Sequence, residues 1–312
     1  MASNDPASTD MDLKEIDPAL DPTLDQLTRR TLLGRAGAGA AGLVASAVLG
    51  PAAAQETGAP RRALEDDSLD KQDMTYPSRG GGESVAQIKA FLATPRTTAK
   101  RGSVIVIHEI FGVTDHIKDV ACRLAQAGFT ALAPDLFTRE GPPPPMSGGF
   151  APLMQFVGKI PDSQIMGDVQ AAVHTLRERH DSNHKTGIVG FCYGGRISML
   201  ADAYVHDLNA AVAYYGRISG DKTANQPTFP LDMAAQMRAP LLGHFGAEDQ
   251  SIPAADVDRL REALKAHHKT AELYVYENAG HAFNNDTRES YRPEAAKLAW
   301  QRTLAWFDKY LK

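Results

Sequence analysis

Beyond about Asp73 the chain alternates between two hydrophobic rhythms. Short apolar runs read as strands, and longer stretches with apolar residues three and four apart read as helices. Val85 to Ala93 is an early strand after the turn Gly80-Gly81-Gly82. Ser103-Val104-Ile105-Val106-Ile107 is β-branched almost throughout, as a strand buried on both faces should be. Ile117, Val120, Ala121, Leu124 and Ala125 mark one helix face, Gly128 ends that helix, and Phe129 to Leu136 is the next strand. Helices follow over Val169–Arg179, from Gly194 onward, over Ala254–His267 and over Pro293–Leu311. Between them lie strands at Thr186–Phe191, Ala210–Tyr215, Pro240–Phe245 and Ala271–Tyr276. Strands alternating with helices predict one mostly parallel, doubly wound α/β sheet with helices on both faces.

Two segments break the pattern. From Thr138 to Ser163 the chain carries consecutive prolines, Pro142 to Pro145, and the pair Gly148-Gly149, which exclude a regular helix or central strand. Long insertions of this kind shape a pocket or form a plain surface excursion. Before the alternation, residues 55–73 are polar, lack a period and read as a linker, which puts the folded domain at 74–312.

The first 54 residues read as an export signal. Arg29-Arg30 precedes a Gly/Ala-rich apolar run from Ala36 to Leu49, and Ala52-Ala53-Ala54 offers a cleavage site before Gln55. Paired arginines before a weakly hydrophobic run fit twin-arginine export, which delivers folded proteins to the periplasm. A disordered Ala-rich tail is one alternative. An uncleaved anchor is another, but the run is shorter than the ~20 residues a spanning helix needs, so stable membrane insertion is not expected.

Composition narrows the function classes. Net charge is −5 with no long run of either sign, which gives a nucleic-acid partner no electrostatic support. Only two cysteines occur, Cys122 in a helical pattern and Cys192 in a strand-to-helix turn; both are expected to be free thiols. No H-E-x-x-H or Cys/His cluster is present, so no metal and no cofactor is expected.

The chemistry centres on Gly190-Phe191-Cys192-Tyr193-Gly194-Gly195, a G-x-nucleophile-x-G turn with Cys where Ser is usual. Glycines let strand and helix approach closely, and the helix N-terminus favours thiolate. On such a scaffold the acid and then the histidine follow the nucleophile along the chain. Glu248 and Asp249 compete as the acid after a late strand, and the shorter Asp249 is preferred. His281 follows the last strand, with Gly280 before it allowing a sharp loop.

With His108-Glu109-Ile110-Phe111-Gly112-Val113, the Gly246–Pro253 loop and Gly280-His281-Ala282-Phe283, these motifs resemble the dienelactone hydrolase family, from about Tyr76 to the C-terminus. The resemblance implies the α/β-hydrolase fold and a Cys192–His281–Asp249 triad. It also implies that Glu109 contacts the resting thiol and helps convert it to thiolate, and that the Tyr193 and Ile110 N–H groups form an oxyanion hole. Phe111, Arg139 and Phe283 are placed in the substrate pocket. The expected reaction is hydrolysis of a small ester or lactone through an acyl-cysteine. One departure bears on the substrate: family members that cleave dienelactone hold its carboxylate with arginines, one shortly after the histidine, and here none occurs before Arg288. A non-catalytic binding protein and a thiol-redox protein are the competing classes.

Overall fold

The buried β-branched runs lie where a sheet covered on both faces needs them. The computed structural model describes residues 63–312 apart from residue 81; the export signal expected over 1–54 lies outside them. The strands are β1 (Leu69–Ser78), β2 (Ala86–Pro95), β3 (Arg101–Ile107), β4 (Thr130–Pro134), β5 (Ser182–Phe191), β6 (Leu208–Tyr214), β7 (Leu241–Gly246) and β8 (Ala271–Tyr276). They form one 8-stranded sheet in the order β1-β2-β4-β3-β5-β6-β7-β8. β2 pairs antiparallel with both β1 and β4, and all other pairings are parallel. Every position of β3 and β4 is buried. Successive side chains in a strand point to opposite faces, so both faces are covered there. The cover comes from α1 (Asp115–Gln126), α3 (Asp162–Arg177), α4 (Tyr193–Tyr204) and α6 (Pro293–Leu311), while α5 (Ala254–Ala266) packs on β8 and α2 (Phe150–Gly158) follows the proline-rich segment. This is the α/β-hydrolase fold.

Two expectations need correction. The linker does not run to Asp73: β1 begins at Leu69 and pairs with β2 from Leu69–Pro95 to Ser78–Ala86. An edge strand needs few apolar residues, and the exposed Asp70, Gln72 and Asp73 hid it from a hydrophobicity reading while blunting the edge against pairing with other chains. The proline-rich insertion is not wholly irregular either. Gly149 turns the chain at φ 82°, and α2 starts at Phe150. Pro152 falls in its first turn, where a missing N–H leaves no intrahelical bond unmade.

β4 and β5 flank β3, so the winding of the chain reverses there. Loops leaving the carboxyl ends of β3 and β5 diverge and open a crevice. Ile110 follows β3, and Cys192 follows β5.

Candidate active site

β5 ends at Phe191 and α4 starts at Tyr193, which leaves Cys192 alone to turn the chain. Its φ of 55° and ψ of −113° are unfavourable for any residue with a Cβ. Such backbone costs on the order of 1–3 kcal/mol and persists only where its surroundings enforce it. Two glycines provide that enforcement. A Cβ on Gly190 would stand 1.9 Å from the carbonyl oxygen of Gly194, and one on Gly194 would stand 2.4 Å from that of Ile107. Strand and helix therefore approach more closely than side chains permit, and Cys192 lines a cavity of about 270 Å³. Ile110 and Tyr193 line it too. The Tyr193 N–H opens α4, where no intrahelical carbonyl can accept it.

His281 reaches the same cavity from the loop after β8. Gly280, which the sequence suggested as the sharp turn, has no left-handed φ, and a Cβ there would meet nothing closer than 3.9 Å. The left-handed residues are instead Asn278 (φ 55°) and Ala282 (φ 61°). His281 Nδ1 donates to Asp249 Oδ2 at 2.7 Å. The other carboxylate oxygen accepts from Ser251 Oγ at 2.6 Å and Ser251 N at 2.9 Å. Glu248, the competing acid, is exposed and makes no side-chain hydrogen bond to His281.

The electrostatics follow from these contacts. Burial opposes a charge on His281, but the bond to Asp249 and the adjacent Cys192 outweigh it and push its pKa up to about 10. Burial likewise opposes ionisation of Asp249, yet His281 and Ser251 hold its carboxyl below the usual range. The arrangement can keep a positive imidazolium beside the sulfur and a negative carboxylate behind the ring.

Glu109 is buried, and its Oε2 accepts from Asn285 Nδ2 at 3.0 Å. The contact expected with the thiol is not the hydrogen bond observed. Asn285 is fixed in this orientation because its Oδ1 accepts from Thr287 N and Oγ1. Near Glu109 and Cys192 lies Tyr215, wholly buried, with φ 38° and a hydroxyl that has no partner among the described residues. Burial, followed by the charges of Glu109 and Cys192, raises its pKa well above the ordinary tyrosine range, so the hydroxyl stays a donor.

The three expected pocket residues lie outside the cavity lining. Arg139 is paired with Asp168 and also donates to Ser78 O at 3.2 Å. Phe283 is wholly buried, with its ring 5.4 Å from Tyr215 and 5.2 Å from Tyr276. Phe111 lies beneath the guanidinium of Arg288, at 4.3 Å. The lining instead includes Ser251, Tyr215, and Phe150, Met154 and Val157 from α2. The positions of Tyr215 and Ser251, just past the carboxyl ends of β6 and β7, are the signal that could have identified them. Arg196 also faces the cavity but is held by Asp162 in two parallel bonds of 2.8 and 2.7 Å.

His108 and His244 are structural. His108 Nδ1 donates to Glu109 O at 2.6 Å and Nε2 accepts from Leu136 N at 3.2 Å. His244 lies between the hydroxyls of Tyr276 and Thr303, and burial keeps its ring neutral. Among the described residues no group of three His, Cys, Asp or Glu could hold a metal ion.

The chain is similar to known proteins. The sequence profile of the dienelactone hydrolase family matches residues 88–311. A candidate carboxymethylenebutenolidase of Escherichia coli is 41% identical over 246 residues, covering 78% of this chain and 89% of that one. One from Methylorubrum extorquens is 39% identical over 295 residues, 94% of this chain and 98% of its own length. The crystal structure of a candidate dienelactone hydrolase from Klebsiella pneumoniae superposes with a TM-score of 0.72 at 41% identity, covering 78% of this chain and all of that one.

Proposed function

From the premise that the chain belongs to the dienelactone hydrolase family, we propose that it cleaves a small ester or lactone with a Cys192–His281–Asp249 triad, through an acyl-cysteine, as an exported enzyme. That it is a hydrolase of the ester- or lactone-cleaving type follows from the family and its carboxymethylenebutenolidase-like relatives. The finer reading rests on one observation: a thiol on a strained turn shares a cavity with an imidazole whose far nitrogen is bound to a buried carboxylate.

In the first half the Cys192 sulfur, whose proton rests on His281 Nε2, attacks the carbonyl carbon. A C–S bond forms, and the carbonyl electron pair moves to oxygen, where the N–H groups of Tyr193 and Ile110 receive it. The tetrahedral species collapses, the C–O bond breaks, and His281 gives its proton to the departing oxygen, which leaves the ring neutral. Asp249 holds the ring's orientation and balances its charge. The sulfur of the resulting thioester carries no charge, so one of the two groups raising the His281 pKa is gone. The ring can then take a proton from water; hydroxide attacks, the C–S bond breaks, and the acid product leaves with thiolate restored.

Cys192→Ala and His281→Ala should each lower kcat/KM on a p-nitrophenyl ester by at least about 10³-fold. Mass spectrometry of quenched wild-type enzyme should show an adduct of the acyl mass on Cys192. Full activity in both variants would falsify the triad.

Export is the second part of the proposal. It is supported by Arg29-Arg30, the apolar run and the Ala52-Ala53-Ala54 site. The Methylorubrum relative matches a longer stretch than the described domain, so part of this N-terminal segment is shared with it. Cell fractionation should find the protein in the periplasm, and replacing both arginines by lysine should retain it in the cytoplasm.

A further inference from the structure

The apolar wall of the cavity runs from its interior to its exposed rim. Helix α2 contributes Phe150, Met154 and Val157 to the lining, at i, i+4 and i+7, which forms one ridge along the helix. Val157 is 3% exposed, whereas Met154 is 46% and Phe150 is 51% exposed. The ridge thus runs from the interior to open surface and leaves two large apolar side chains in water. Inside, Ile110, Ile252 and Phe229 extend the apolar surface.

Charge on this wall is largely neutralised. Arg196 is bound to buried Asp162, and Arg139 is paired with Asp168 away from the lining. Arg217 is the one lining cation with no carboxylate partner among the described residues, and it is exposed. At about 270 Å³ the cavity is also small, just under the roughly 300–1,000 Å³ usual for ligand pockets. A long substrate chain whose carbonyl sits at Cys192 must therefore run toward the open rim, and the ridge is an apolar path to it. From Val157 to Phe150 it rises about 10 Å at ~1.5 Å per residue, the reach of roughly eight methylenes.

We propose that the substrate is an ester or lactone with an uncharged hydrocarbon chain, and that this chain lies along the Val157–Met154–Phe150 ridge. The inference rests on the hydrolase reading above and adds the substrate class.

The experiment measures kcat/KM of the full chain on p-nitrophenyl esters from acetate to dodecanoate. The expected result is a rise to about octanoate, up to about fourfold for each methylene that is buried, and then a plateau. In Phe150→Ser/Met154→Ser the octanoate-to-acetate ratio should fall by about tenfold or more. Both substrates are read on one preparation, so a misfolded fraction cancels from the ratio. A flat series with brisk acetate turnover, or an unchanged ratio in the double variant, overturns the ridge assignment and leaves the hydrolase reading standing. Preference for an octanoate ester bearing a terminal carboxylate, lost in Arg217→Ala, overturns the uncharged chain. Absence of turnover on every ester by folded protein rejects the hydrolase reading, and the chain assignment with it.

Discussion

Burial alone would strip His281 of its proton, yet Asp249 at 2.7 Å and the neighbouring Cys192 raise its pKa to about 10. A raised pKa keeps the ring protonated further up the scale, so the imidazolium is present below about pH 10 and lost above it. The pH profile of kcat/KM reports the free enzyme. Its alkaline limb should therefore fall near pH 10. Asp249→Asn removes one cause of the rise, so the limb should move toward neutrality while kcat/KM drops on the order of 10³–10⁴-fold. A limb that stays in place would mean that Asp249 does not set the charge of the ring. That Cys192, Asp249 and His281 come together was legible, because motif order and strand ends are written in the chain. Tyr215 and Ser251 left only their places past β6 and β7 as a signal, and Asn285 left none, since each matters through what the folded loops place beside it. Phe283 shows the limit from the other side: adjacency to the His281 motif suggested the pocket, but Ala282, at φ 61°, precedes a ring buried among Tyr215 and Tyr276.

At the scale of elements, the central strands could be read because burial on both faces demands continuous apolar runs. β1 could not, because an edge strand with Leu69, Tyr76 and Ser78 buried carries too few apolar positions to show a period. α2 was hidden for a different reason: it begins only after the Pro142–Pro145 run and Gly148-Gly149, and its single proline, Pro152, is tolerated in the first turn. The position of β1 has a measurable consequence. A chain starting at residue 74, the boundary the polar stretch suggested, loses half of the β1–β2 ladder and the burial of Ala63 and Leu69. Leu69 alone contributes about 1.5–3 kcal/mol on burial. Compared with a chain starting at residue 63, the shorter protein should melt at least about 5 °C lower. Equal melting temperatures would show that β1 only decorates the edge.

At the scale of the whole molecule, the two thiols occupy opposite kinds of environment. Cys122 sits in α1, wholly buried, and burial pushes its thiol up to about 11. At pH 8 only about a thousandth of it is thiolate, the form that reacts. Cys192 opens onto the cavity at the carboxyl end of the sheet. The fold thus separates the cavity thiol from the chain's other cysteine, and both are free. A protein exported after folding would enter an oxidising compartment with this separation already built, whereas an unfolded chain could pair the two sulfurs. Titration with an aromatic disulfide reagent at pH 8 should modify one thiol per native chain rapidly, and the second only in denaturant. The rapid one should vanish in Cys192→Ala and remain in Cys122→Ala. Two fast thiols in the native protein would place Cys122 within reach of solvent and remove the contrast between the two sites. Refolding the denatured, oxidised chain offers the complementary measurement: a Cys122–Cys192 disulfide formed there should leave it inactive until reduced.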